Sequence, residues 1–157
     1  MAGALIEIDI NDDETRAALE KLRAKLASPE PVFRDIGEAL TISFRDRFGR
    51  GVDAEGHPWA PLSQVTLDRK RKNKDKILVL DGYLRRLDYR ADNTGVRIGT
   101  DRIYGALHQF GARKGEFGRT RRGAPIPWGD VPAREYLGLS DTDEGDILDI
   151  LHEWLAS

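Results

Sequence analysis

The feature that most constrains this chain is an apolar stripe from Phe33 to Phe48. Phe33, Ile36, Leu40, Phe44 and Phe48 recur at steps of three and four. That period places them on one face of a helix and predicts one over 31–48. Arg34, Asp35, Glu38, Arg45 and Arg47 fall on its polar face. Gly49 and Gly51 then stop it. A long helix with one apolar face must be covered, so the remaining segments are read first as candidates for that cover.

Upstream, ALIEIDI at 4–10 alternates apolar and acidic residues and predicts a half-buried strand. Asn11 to Asp13 supply helix-start chemistry for 13–27, where Ala18, Leu19, Leu22 and Leu26 keep helical spacing. Ser28, Pro29 and Pro31 end that helix. Downstream, 49–63 is predicted loop, and 64–76 a short helix or an extended basic arm. A turn and a short helix are expected over 77–87. Residues 86–91 and 96–100 alternate on either side of Asp92-Asn93-Thr94-Gly95, a hairpin signal. A short helix over 102–110 ends on Gly111. A long loop rich in Gly, Arg and Pro follows at 111–130, then a turn or short strand at 131–139. A closing helix is expected over 141–156, with Asp141 as N-cap and Glu144 as its capping-box partner. Its predicted buried stripe is Ile147, Leu148, Leu151, Trp154 and Leu155. The expected fold is one α+β domain over 1–157, with N-terminal helices, a small antiparallel sheet with a hairpin, and a C-terminal helix.

Composition narrows the function classes. The 157 residues suit one domain with a real core. The chain is 39% hydrophobic and 33% charged with a net charge of −2, which argues against a dedicated DNA-coating protein. With no cysteine, disulfide scaffolds, Cys-ligated zinc and thiol nucleophiles are excluded. The N-terminus MAGALIEIDINDD has no basic region and turns acidic, so no signal peptide is expected. No apolar run reaches the roughly 20 residues that span a bilayer, and no membrane contact is expected.

Candidate chemistry is sparse. His57, His108 and His152 are far apart in sequence and include no closely spaced ligand pair, so no metal is expected. Ser63 and Ser140 stand where turns and helix caps want a hydroxyl rather than beside a base. The acidic clusters Asp12–Glu14 and Asp141–Asp149 sit at helix starts or on a polar helix face, where the helix dipole favours them. No phosphate-binding glycine loop occurs, and no cofactor is expected. The chain is therefore read as a non-enzyme, with a wall hydrolase as the enzymatic alternative.

Two basic segments stand out against a near-neutral whole. Residues 69–76 carry six Lys or Arg against one Asp. The second segment contributes Arg113, Lys114, Arg119, Arg121 and Arg122 against one Glu, with Trp128 nearby. Such asymmetry suggests a directed surface for phosphates or an acidic partner, and a nucleic-acid-binding module using loop 111–130 is the alternative function. Trp59, between two prolines, and Trp128, between Pro127 and Gly129, are read as loop anchors before partner anchors.

Four stretches in order resemble one family. FGRGVDAEGHPWAPLSQVT (48–66) resembles its segment with Gly56, Trp59, Pro61 and Leu62 in register. ILVLDGYLRRL (77–87) matches at Gly82 and Leu84. GVRIGTDRIYGALHQFGA (95–112) matches at Tyr104, His108, Gln109, Phe110 and Gly111. IPWGDVPAREYLGLS (126–140) matches at Pro132 and Arg134. Gly105 stands where that family has Ala, and Asp81 where it has Thr. The chain thus resembles the phage virion morphogenesis family, which includes tail-completion proteins of P2-like phages and the G protein of Mu-like phages. The resemblance implies a structural protein completing or capping the tail at the head–tail junction. It implies a homo-oligomeric ring, other tail or connector proteins as partners, possible contact with phage DNA, and synthesis in the host cytoplasm before entry into the virion. Within the third stretch, Gly105 permits close backbone approach, and His108 and Gln109 are placed to hydrogen-bond at the base of the basic loop. Gly111 and Pro132-Ala133-Arg134 would then fix the loop's two stems, and the loop would make the contact.

Overall fold

The computed structural model describes residues 12–157. The strand expected over 4–10 lies outside them. The elements in chain order are α1 (Asp13–Ala27), α2 (Glu30–Arg50), α3 (Gln64–Arg69), β1 (Asp88–Asp92), β2 (Gly95–Gly99), α4 (Gly105–Phe110) and α5 (Asp141–Ala156). This is the expected α+β arrangement.

The helix α2 is the spine. Its stripe is buried as the period demands, with Val32, Ile36, Leu40, Phe44 and Phe48 in the core and Phe33 at its edge. Pro31 sits in the first turn, where its missing N–H costs nothing. Gly51 closes the helix in a left-handed conformation at φ 71°. Trp59, Val79, Leu84, Leu87 and Tyr136 complete the core from the segments that follow. The Phe48 ring meets Trp59 edge-on at 5.5 Å and Tyr136 at 5.3 Å between centroids.

The hairpin and α5 both pack on α2. In the hairpin, β1 and β2 pair antiparallel from Asp88↔Gly99 to Asp92↔Gly95, leaving Asn93 and Thr94 as the turn. Asp92 accepts the Thr94 N–H at 2.7 Å, and Asn93 accepts the Glu30 N–H at 3.2 Å, tying the turn to the start of α2. The Tyr89 ring lies against Gly37, where a Cβ would come within 2.5 Å of it. A glycine inside a helix costs about 1 kcal/mol relative to alanine, and here that cost permits the close approach.

Helix α5 is joined to α2 by a buried ion pair. Arg47 and Asp143 are each 2% exposed, and the Arg47 guanidinium donates both to Asp143 and to the Gly138 carbonyl. Ser43 donates to the other oxygen of Asp143. The same carboxylate is the capping-box partner of Ser140. The cap is therefore one residue earlier than the sequence suggests, on Ser140 with Asp143 rather than Asp141 with Glu144. Arg47 is likewise not on the polar face: the approach of α5 makes that side of α2 interior. In α5, Ile147, Ile150, Leu151 and Trp154 pack against the core, whereas Leu148 and Leu155 are 55% and 42% exposed.

Helix α1 buries none of its residues. Asp12 caps it by accepting the Glu14 N–H. Its lysines serve the far end of α5, which has no basic residue in its last turn. Lys25 donates to the Trp154 carbonyl and Lys21 to that of Ser157, both at 2.7 Å. The short helix expected within 77–87 is absent. Leu78 and Gly82 take positive φ there, at 58° and 78°, and the segment turns repeatedly to bury Val79, Leu84 and Leu87.

Candidate functional site

The four family-like stretches converge. Beyond Gly51, a short bridge pairs Val52 with Pro58, with Gly56 turning at φ 84° between them. That turn delivers Trp59 to the core, where it is 5% exposed and donates its Nε1–H to the Glu135 carbonyl at 2.9 Å. Arg134 answers from the other strand of the crossing. Its Nε and Nη2 donate to the Ala60 and Pro61 carbonyls at 2.8 and 2.9 Å, and its backbone N–H donates to the His108 carbonyl at 2.8 Å.

Gln109 makes a second link. Its Nε2 donates to the Leu137 carbonyl, and its Oε1 accepts the Tyr136 and Leu137 N–H groups at 3.0 and 3.1 Å. One side chain thus satisfies three backbone groups of a segment with no strand partner of its own. Gly105 lies against Thr100 and the Tyr136 hydroxyl, which a Cβ would approach to 2.6 and 2.9 Å. Gly111, at φ 71°, has the Ala133 nitrogen and Val131 oxygen where a Cβ would stand, both at 2.7 Å. Leu84 is buried, Leu62 and His108 are half-buried, and Pro61, Tyr104, Phe110 and Pro132 are exposed.

From this frame a finger projects. Ala112 and Val131 exchange both backbone hydrogen bonds at its stem. Above them Gly115 bonds Pro127, Phe117 and Gly118 bond Ile126, and Thr120 bonds Ala124. Among the described residues, every hydrogen bond made by 112–131 stays inside that segment. The expected loop is thus an irregular hairpin. Arg113, Lys114, Arg119, Arg121 and Arg122 are all exposed on it, interleaved with exposed Phe117 and Trp128. Trp59 anchors its loop; Trp128 does not bury, and instead stacks beneath the Arg69 guanidinium, 4.6 Å from the ring centroid.

Between the finger base, the α3 arm, the 78–84 segment and α4 lies a groove of about 860 Å³ with mostly apolar walls. Lys70 and Arg134 line it together with Asp81 and Asp130, and neither cation is in a salt bridge among the described residues. Lys70 donates instead to the Asn73 and Lys76 carbonyls. Burial pushes the Lys70 ammonium and the Arg134 guanidinium below their ordinary pKa values. His108 lines the same groove with a buried Nδ1 that has no hydrogen-bond partner among the described residues, and burial, then the nearby Arg134 charge, hold its pKa below the usual histidine value. Sequence reasoning placed Lys70 in a solvated basic run. The fold buries it because the arm doubles back, which no local signal announces. The Arg47–Asp143 pair was missed for the same reason, its partners lying 96 residues apart.

The catalytic candidates resolve into structural duties. Ser63 caps α3 and Ser140 caps α5. His57, His108 and His152 lie in the 49–63 loop, α4 and α5. Asp53, Glu55 and His57 bring one ligand atom each within 4.8 Å of one another, in a turn where Asp53 accepts the His57 N–H.

Comparison with known proteins agrees with this frame. The pattern that defines the phage virion morphogenesis family matches residues 10–156. The chain is 30% identical over 152 residues to the Mu-like prophage FluMu G protein 2 of Haemophilus influenzae, covering 96% of each. It is 35% identical over 131 residues to the putative capsid assembly protein G of Escherichia phage Mu, covering 79% of this chain and 78% of that one. No solved structure matches the chain. With its four motif stretches joined in one frame and a family match along nearly its whole length, the chain belongs to the phage virion morphogenesis family.

Proposed function

We propose that this protein is a single-domain structural component that completes or caps the phage tail at the head–tail junction, acting as a homo-oligomeric ring after synthesis in the host cytoplasm. The observation that carries the reading is how the motif side chains are used. Trp59, Gln109 and Arg134 spend their polar groups on backbone atoms of distant segments. They build a rigid base for an exposed finger, which is how a scaffold serves an assembly contact. The likeness to G proteins of Mu-like phages, one of them described as a capsid assembly protein, supports the same reading. The partners would be tail or connector proteins. The test is electron microscopy of particles made without this gene. Separate full heads and finished tails are expected; normal joined particles would overturn the reading.

One observation favours a second role. The exposed Arg and Lys side chains of the finger lie beside exposed aromatic rings, an arrangement that can hold passing DNA. Duplex binding that weakens steeply with salt would support it, and no binding at low salt would remove it.

A further inference from the structure

Two surfaces of this molecule are each incomplete. The first is the groove, bordered by Arg69, Trp128 and the basic finger, whose Lys70 and Arg134 are in no salt bridge among the described residues. The second is the outer face of α5. That helix has six carboxylates and no lysine or arginine. Five of them, all but Asp143, are exposed, and none is in an ion pair among the described residues. Leu148 and Leu155 stand out among them, seven residues apart and so about 10 Å along the axis on one side of the helix. They belong to the stripe the sequence predicts to be buried, yet the fold leaves them outside.

We propose that the groove of one copy receives the α5 face of a second copy, Leu148 and Leu155 entering between its apolar walls while the flanking carboxylates meet Arg69 and the finger arginines. This deepens, and rests on, the ring reading given above. Two observations on the page select a second copy as occupant. The charges are complementary at the rim, an acidic helix against Arg69 and the finger arginines, which have no ion pair among the described residues; of the two carboxylates that line the groove, Asp81 is already paired with Lys72 and Asp130 accepts the Lys114 N–H. The apolar character is complementary too, with two exposed leucines against a groove lined by Leu62, Leu78 and Tyr83. The two surfaces share no residue, so one copy can use both at once. Such a contact is head-to-tail: it repeats from copy to copy and closes only when the rotation allows.

The test is sedimentation of the full chain and of two surface variants. R69E/W128A spoils the groove and L148K/L155K spoils the helix face. All four positions are exposed or rim residues, and unchanged thermal midpoints would show both variants folded. Wild type is expected to sediment as an oligomer and each variant alone as a monomer. An equimolar mixture should give a one-to-one dimer and stop there, because only one intact groove and one intact helix face remain per pair. Oligomers from either variant alone, or a mixture that stays monomeric, would overturn this contact while leaving the ring reading standing. A wild type that is monomeric both alone and with isolated tails would overturn both. Persistent oligomers whose R69E/W128A form has lost binding to a labelled duplex would assign the groove to DNA and overturn the contact.

Discussion

The frame around α2 and the finger at 112–131 are held together in opposite ways. The frame closes through bonds between segments far apart in sequence: Arg47 to Asp143, Trp59 to Glu135, Gln109 to Leu137. The finger closes on itself, and among the described residues its hydrogen bonds stay within it. The frame's bonds exist only when the whole chain is folded, so they are where stability is concentrated. The finger's exposed charges bond only within the finger, Glu116 to Arg113, Asp130 to Lys114 and Arg119 to Gly123. The lesson is that a surface both basic and aromatic stands on a segment whose hydrogen bonds, among the described residues, do nothing to join the frame.

The contrast can be tested by where it should break. The largest effect is expected at Arg47. Arg47→Met leaves Asp143 buried without its cation and should cost about 3–5 kcal/mol in urea denaturation. Replacing both partners by apolar residues should cost less than that single change, though Ser140 would lose its cap. A loss below about 1 kcal/mol for the single variant would mean the pair is not the join between α2 and α5. Next comes Gln109→Leu, which strands two N–H groups and one carbonyl of 136–137 and should cost about 1–3 kcal/mol.

Acid should weaken the frame in two stages. His108 is held below its ordinary pKa by burial and by Arg134, so the folded protein keeps it neutral while the unfolded chain takes up a proton. Its contribution is whole above about pH 6.5 and declines as pH falls below that value. For Asp143, burial alone would raise the carboxyl, but bonds from Ser43 and Ser140 and the Arg47 charge outweigh it and hold the group below its ordinary value. Its contribution is present above about pH 4 and is lost as pH falls further. Denaturation midpoints measured from pH 8 to 3 should show both declines, and His108→Leu should flatten only the first.

The smallest effect is expected in the finger. Replacing Arg119, Arg121 and Arg122 by Glu together should change stability by no more than about 0.5 kcal/mol per site, while abolishing assembly with tails. Unfolding of that variant would show the finger to be part of the frame after all.

Much of the frame was legible because its signals are local. The α2 stripe, the hairpin turn at Asp92–Gly95 and the closing helix all announce themselves within a few residues. The α5 cap was misplaced by one residue because Ser140 and Asp141 are both good caps, each with an acidic residue three positions on. Helix spacing could not show that Leu148 and Leu155 stay outside, since width of the buried stripe depends on what packs against it. Lys70 and Arg47 were read as solvated because a charged residue in a polar run usually is. Their burial follows from the path of chain segments that only the folded molecule brings together. For the site, the sequence marked the two stems and the basic finger, but gave no hint of the groove between them.

The stem pair at Ala112 and Val131 has an evolutionary consequence. Since, among the described residues, the segment above it hydrogen-bonds only within itself and meets α3 through the Trp128–Arg69 stack, its length and charge sign can change without retuning the core. Its twenty residues, 112–131, could be rewritten as a unit while the frame that makes the protein fold is left untouched.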